Sequence, residues 1–592
     1  MLLKIISCVR FLGRQELPLS GDGNEKHGNF MALLALREED DPAVGEWVRA
    51  KRGGANYTSH QIQNELLKIM ANEVLRNIAT SLQQSPYISL MMDETTDVSN
   101  HEQATIVLRH VTNKMEVLEE FIGMYQVPSI DSKTLAEVAK DALCRCNLPL
   151  NKLRGQCYDG ASAMRGAKSG VAARILAEEP RALCTHCYGH SINLAACDAI
   201  RGTKLMKDAM ETAHEITKLI KYSPRREEIF RSQKASSSDH HGTGLRVLCP
   251  TRWTVQADSL ASIMSNYAVL QDTWVEAMSV ARDTETKARI HGVQVQMREF
   301  NFFFGIVLGE LVLRHTDMLN QTLQRKGMSA AEGQEVARMT KSCLESIRND
   351  ASFTQFWQKV QVLADKYDIG EPRLPRKRRA PCRLDDGMAP PEFPTSLEDH
   401  FRPIFFEAID NVIGGLKDRF EQPGYATYSH LEQLLIKACQ GDDFSHDLNF
   451  CCEFYKEIDR ACLQPQLLTI HLDFIRYSKQ EFGKELEKVT ILDIQDYFCS
   501  LTDGQQCLLK EVCKILQLVL VMPATNCTSE RSFSALRRVK TYLRSTMVQE
   551  RLNHLLVLHV HKERTGALDL TDIGDKFVAG SELCLRTFGK FK

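Results

Sequence analysis

Apolar positions along the first two hundred residues change period several times, and each change marks a new element. Ile62, Leu66, Met70, Val74, Ile78 and Leu82 recur every four residues behind a Thr58–Gln61 capping box. This is one face of an amphipathic helix, expected to end near Gln84, before Pro86. The run from Tyr87 to Met92 is short, mostly apolar and closed by Asp93, which predicts a buried central strand with a carboxylate at its end. Positions 104–111 and 115–127 are rich in β-formers and joined by three turn residues, an antiparallel hairpin. Leu135, Val138, Ala139, Ala142, Leu143 and Cys146 return to the helical period behind Asp131 or Ser132. Gln156 to Gly160 is a second short run, ending at Asp159. A helix with Met164, Val171, Ala172, Ile175 and Leu176 follows, then a fifth strand near 182–187 and a helix over 191–200.

Three antiparallel strands, a helix, a parallel strand, a helix and a last strand is the element order of an RNase H-like α/β core. Beyond about Gln256 the alternation stops and the pattern is helical, with turn-rich breaks near 236–244 and 370–394. The expected organisation is an N-terminal helical region (1–84), the core (85–255), a large all-α insertion (256–497) with an exposed loop (370–394), a C-terminal helical region completing the core (498–565) and a tail (566–592). Within 498–565, Leu552, Leu555, Leu556 and Leu558 have too little chain after them to be covered, so they are expected to form a dimerisation surface.

Composition narrows the class. With 43% hydrophobic and 25% charged residues in 592, the chain is of globular type and too long for one core. The apolar stretches 302–313 and 515–522 are too short to cross a bilayer, so no membrane partner is expected. Nineteen scattered cysteines suit a reducing compartment. A net charge of −2 leaves nucleic-acid binding to local basic patches: Arg225, Arg226, Arg231 and Lys234; Arg373 and Arg376 to Arg379; and Arg537, Arg538, Lys540 and Arg544. The Arg376 to Arg379 cluster also reads as a nuclear address.

Asp93 and Asp159 both follow short apolar runs, and adjacent strand ends are where open α/β sheets gather their sites. Phosphodiester chemistry with two divalent ions needs such clustered oxygen ligands. Each acid alone is better explained by a turn or a helix cap or, for Glu530, by a helix first turn. Glu94 and Asp97 are nearby alternatives.

Five blocks change that balance. Met92-Asp-Glu-Thr-Thr-Asp97, Gln156-Cys-Tyr-Asp-Gly-Ala161, His186-Cys-Tyr-Gly-His-Ser-Ile-Asn-Leu194, Pro250-Thr-Arg-Trp253 and Pro523-Ala-Thr-Asn-Cys-Thr-Ser-Glu-Arg-Ser-Phe-Ser534 resemble, in order, those of hAT-superfamily DNA transposases, most closely the transposon-derived zinc-finger MYM-type proteins. The resemblance implies an RNase H-like core interrupted by a helical insertion, with Asp93, Asp159 and Glu530 catalytic and holding Mg²⁺ or Mn²⁺. It also implies a C-terminal dimerisation region and a DNA-binding finger missing upstream of Met1.

Cys184, His186, Cys187 and His190 look like zinc ligands, but no second pair follows at the usual spacing, and zinc is not expected. In the family, Cys187 and His190 match a structural Cys-x-x-His element beside the active site. Arg252 and Trp253 could stack an unpaired base, or the indole could be core. Arg537, Arg538 and Lys540 are expected on an outer helix face, either merely solvated or holding DNA phosphates. Two functions follow. One is a DDE-type transposase that cleaves and joins DNA, self-associates and acts in the nucleus. The other is a domesticated, catalytically silent nuclear interaction protein. A plain RNase H-type nuclease would need neither the insertion nor the apolar C-terminal helices.

Overall fold

The computed structural model describes residues 1–20, 28–49, 57–166, 168–236, 244–248, 256–323, 330–374, 394–420, 423–482 and 489–591. They form two compact units, one of residues 1–187, 326–331 and 423–592, the other of residues 188–325 and 332–422.

The first unit is built on five strands: β1 (Ile88–Thr96), β2 (Glu102–Val111), β3 (Val117–Val127), β4 (Leu153–Tyr158) and β5 (Leu183–His186). Their order is β3-β2-β1-β4-β5, antiparallel from β3 to β1 and parallel from β1 to β5. This is the RNase H-like sheet read from the sequence. Seven helices of the unit matter for the site: α1 (Leu2–Arg14), α2 (His60–Gln84), α3 (Ser132–Arg145), α4 (Val171–Glu178), α5 (Lys510–Val521), α6 (Cys527–Val539) and α7 (Gln549–Val560). Helix α2 begins one residue later than its sequence signal. Ser59 caps it by accepting from the Ile62 N–H, while the Thr58 carbonyl accepts from the Gln63 side chain.

The main core joins the sheet to α1, α2 and α7, and this overturns one expectation. Leu552, Leu555, Leu556 and Leu558 are all buried inside the chain, not left bare. Their cover comes from α1 and α2, far away in sequence. At Gly13 of α1 the helices come so close that an added methyl would lie 3.1 Å from Leu67 and 3.3 Å from Leu558. Helix α7 also protects the sheet edge. Asn553 accepts from the Met124 N–H (2.8 Å) and donates to its carbonyl (2.6 Å), taking the place a sixth strand would occupy beside β3.

A second core packs Tyr87, Val111, Met115 and Leu183 against α5 and the helices Pro423–Gln440, Ser445–Phe454, Arg460–Phe482 and Ile491–Ser500. Residues 423–482, expected within the insertion, therefore belong to the sheet's unit. Helical periodicity alone cannot tell which core a helix will join.

Glu432, on the helix Pro423–Gln440, is buried, and its carboxyl is pushed up to about 8 by desolvation, which the Tyr428 and Tyr425 hydroxyls only partly offset. The folded chain thus keeps a proton that the unfolded chain releases above the ordinary 4.5. The sign follows: stability is greatest below that value and falls as pH climbs toward 8. Glu432→Gln should raise the melting temperature at pH 8 by a few degrees and change it little at pH 5, as followed by differential scanning fluorimetry.

The regular elements of the second unit, among its described residues, are all helices. The helix Phe300–Leu323 runs through its centre, where Phe300 and Phe304 meet Phe356, Trp357 and Phe401 edge to face or tilted. The apolar stretch 302–313 is thus a core helix. Among the described residues no helix is long and apolar enough to cross a membrane.

Candidate functional site

Strand β1 runs past Asp93 to Thr96, so Asp93 is within a strand and not at its end. Its parallel pairing with β4 nevertheless stops at Met91↔Cys157, two residues earlier. Asp159 directly follows β4. Both acids therefore sit where the parallel ladder ends, the place where such sheets gather ligands. Asp159 also accepts from the Ala161 N–H at 3.0 Å, so the turn role considered for it is real and occupies one carboxylate oxygen.

Glu530 reaches them from the first turn of α6. Four hydrogen bonds fix that helix and the segment before it on the sheet. Asn526, preceding α6, donates its amide to the Met92 carbonyl at 2.7 Å, one residue from Asp93. Ser532 shares a 3.0 Å hydrogen bond with Thr105, the cross-strand partner of Asp93. Before the helix, the Pro523 carbonyl accepts from Thr185, and the Asn526 N–H donates to Cys187 Sγ at 3.2 Å. Polar side chains on both sides of Glu530 thus bind its helix to β1, which holds Asp93, and to the neighbouring β2.

The electrostatics reflect this arrangement. Asp93 is raised well above the usual carboxylate range by burial, then by Glu530 and Asp159. Burial lifts Glu530 to about 7, Arg531 opposing and Asp159 adding to the rise. Glu94 reaches about 7 through burial, then the charges of Asp159 and Glu102. Adjacent strand residues face opposite sides, and Asp159, in the turn beyond β4, repels both. Asp93, Asp159 and Glu530 therefore share one neighbourhood, with Glu94 repelled by Asp159 from the other side of the strand, a concentration of like charge that a divalent cation would relieve. The donor set suits Mg²⁺ or Mn²⁺: carboxylate oxygens only. Asp93, Asp159 and Glu530 do not all fall within 4.8 Å of one another, as the ligands of one small ion would. Two ions ~4 Å apart allow the wider spread.

Asp97, the other nearby candidate, is excluded. It is buried and engaged by Lys540 at 2.6 Å, Gln103 at 3.0 Å and the Ser99 and His101 N–H groups. The same contact corrects the outer basic face. Lys540 is 3% exposed and paired inside, so it is not placed to hold phosphate. Arg538 is exposed but binds Glu16, and Arg544 donates to the carbonyls of Val539 and Glu16. Arg537 is exposed. Helical spacing put these residues on one side of α6, but Glu16, just after α1, and Asp97, in the β1–β2 turn, pair with two of them. Arg252, Trp253 and Arg376 to Arg379 lie outside the described residues.

Of the cysteine–histidine segment, Cys187 is buried beneath α6, its thiol raised well above normal by a hydrogen bond with Cys157 and by burial. His186 lies 2.9 Å from Arg165 through Nδ1. His190 is half-buried on the helix Tyr188–Gly202 of the second unit. The sequence reading missed Asn526, Ser532 and Thr105, which place Glu530. Its one available signal was a helix-capping residue type three positions after Pro523.

An RNase H-like sheet is completed here by a distant C-terminal helix, and acids from both are drawn together. Residues 1–170 match the family model described as ZMYM1/FAM200, RNase-like domain, and residues 482–563 match that of the hAT family C-terminal dimerisation region. The chain is similar to the 52 kDa repressor of the inhibitor of the protein kinase of Homo sapiens and to that of Mus musculus. Each is 23% identical, over 96% of this chain and 75% of the relative.

Proposed function

We propose that the chain is a hAT transposase-like protein whose Asp93, Asp159 and Glu530 hold Mg²⁺ or Mn²⁺ for cleavage and joining of DNA, and that it self-associates and acts in the nucleus. The convergence of these three acids from β1, the β4 turn and α6 supports this most directly. Bound there, the metal would supply Lewis acidity at the attacking and leaving oxygens of a phosphodiester. The protein's own part is positional. Asn526 and Ser532 hold Glu530 against β1 and β2, and Glu94 adds a fourth carboxyl able to take up a proton near neutrality. Self-association is supported by the match to the dimerisation region. Exposed side chains of that region, such as Leu508, Tyr542 and Val548, would supply its contact surface.

The internal pairing of Lys540, Arg538 and Arg544 favours a second reading, in which the fold is kept for regulation and the acids are idle. Both relatives are named as repressors, which points the same way. The test is nicking of supercoiled plasmid and joining of a 3′-hydroxyl oligonucleotide with Mn²⁺ or Mg²⁺, comparing the natural chain with Asp159→Asn. Product from the natural chain and none from the variant is expected. Equal product from both, or none from either, rejects the catalytic reading.

A further inference from the structure

Outside the carboxylate site, one trio among the described residues brings a donor atom from each of three metal-ligating side chains within 4.8 Å of the others: His430, His446 and Asp447. His430 is on the helix Pro423–Gln440, while His446 and Asp447 are in the first turn of the helix Ser445–Phe454. Asp447 Oδ1 lies 2.7 Å from His430 Nδ1 and 3.8 Å from His446 Nδ1. The Asp447 side chain is 4% exposed and that of His446 81%. Two donors are therefore held in place and the third lies at the surface. The Phe450 ring, 4.1 Å from that of His430, keeps the imidazole from turning away.

Two imidazoles and one carboxylate oxygen are the donors preferred by zinc and its neighbours, not by magnesium. Zinc bonds of ~2.0–2.1 Å put tetrahedral donors about 3.3 Å apart, between the two distances seen here, so small side-chain rotations would complete the shell. Lys437 Nζ sits 2.7 Å from Asp447 Oδ2 and leaves Oδ1 to the imidazoles. Its charge weakens cation binding without blocking it. We infer that His430, His446 and Asp447 form a zinc-class divalent metal site that clips these two helices together, with one position open to water. This trio is distinct from the Cys184 to His190 segment, and no local spacing announces it, because its first histidine is on a different helix from the other two residues.

The test uses the full chain, stripped of metal, kept reduced and held in excess Mg²⁺ so that oxygen-only sites are filled, then titrated with Co²⁺ and displaced with Zn²⁺. The natural chain should show visible cobalt bands of nitrogen–oxygen ligation, without the charge-transfer absorption of thiolates. His446→Ala, a change at an exposed side chain, should lose those bands while keeping its circular dichroism. Lys437→Met should bind about tenfold more tightly, because it removes a positive charge near a dication. Absence of the bands in the natural chain, their persistence in His446→Ala, or unchanged or weaker affinity in Lys437→Met would overturn the assignment.

Discussion

Replacing Leu555 and Leu556 together by aspartate will unfold the first unit instead of releasing protomers from one another. Both side chains are at most 1% exposed, in the core shared by α1, α2, α7 and the sheet. Losing two buried leucines removes several kcal/mol, and two carboxylates with no partner in an apolar core add at least as much, for a total above ~6 kcal/mol. That is comparable with the whole stability of a typical domain, ~5–15 kcal/mol. The expected result is insoluble protein, or a chain lacking cooperative thermal unfolding by circular dichroism. A soluble double variant with a natural melting curve and a smaller mass by light scattering would mean that these leucines face a second copy. For dimerisation itself, Tyr542→Asp and Val548→Asp are the informative changes, since both residues are exposed and can be altered without opening a core.

The leucines also show where sequence reading fails. Period and composition identify elements because they record what each segment must bury locally, and so β1 to β5 and their order could be read from alternating runs and helical spacing. What covers an element is a long-range question. Leu552 to Leu558 look bare only if α1, more than five hundred residues earlier, is left out. The site behaves the same way. Asp93 and Asp159 were readable as acids after strands, whereas Glu530 entered only through resemblance. Its place depends on side-chain hydrogen bonds from Asn526 to Met92 and from Ser532 to Thr105, which leave no periodic trace. Glu94 was weighed only as a substitute for Asp93, although the structure gives both a place beside Asp159.

Lys540→Met will destabilise the chain by ~3–5 kcal/mol at neutral pH, because it strands a buried charge. The Asp97 side chain has no exposed surface, and Lys540 Nζ is 2.6 Å from it. Burial alone would push the Asp97 carboxyl upward. Lys540, with the Ser99 and His101 N–H groups and Gln103, reverses this and holds it below the ordinary 3.8. A depressed acid contributes stability that is present above its unfolded pKa and lost as pH falls through the folded one. In the variant the reversing charge is gone, the carboxyl rises, and stability is instead lost as pH increases through the raised value. The gap between natural chain and variant should therefore be widest near pH 7 and narrow toward pH 4, as measured by urea unfolding at both. Asp97→Asn in the same chain should restore much of the loss, since a neutral buried pair costs less than a lone charge. If Lys540→Met cost under about 1 kcal/mol, the ammonium would have to lie in solvent, as an exposed residue does. The basic face of α6 would then again be available to DNA phosphates, and the argument for a silent regulatory protein would lose its main structural support.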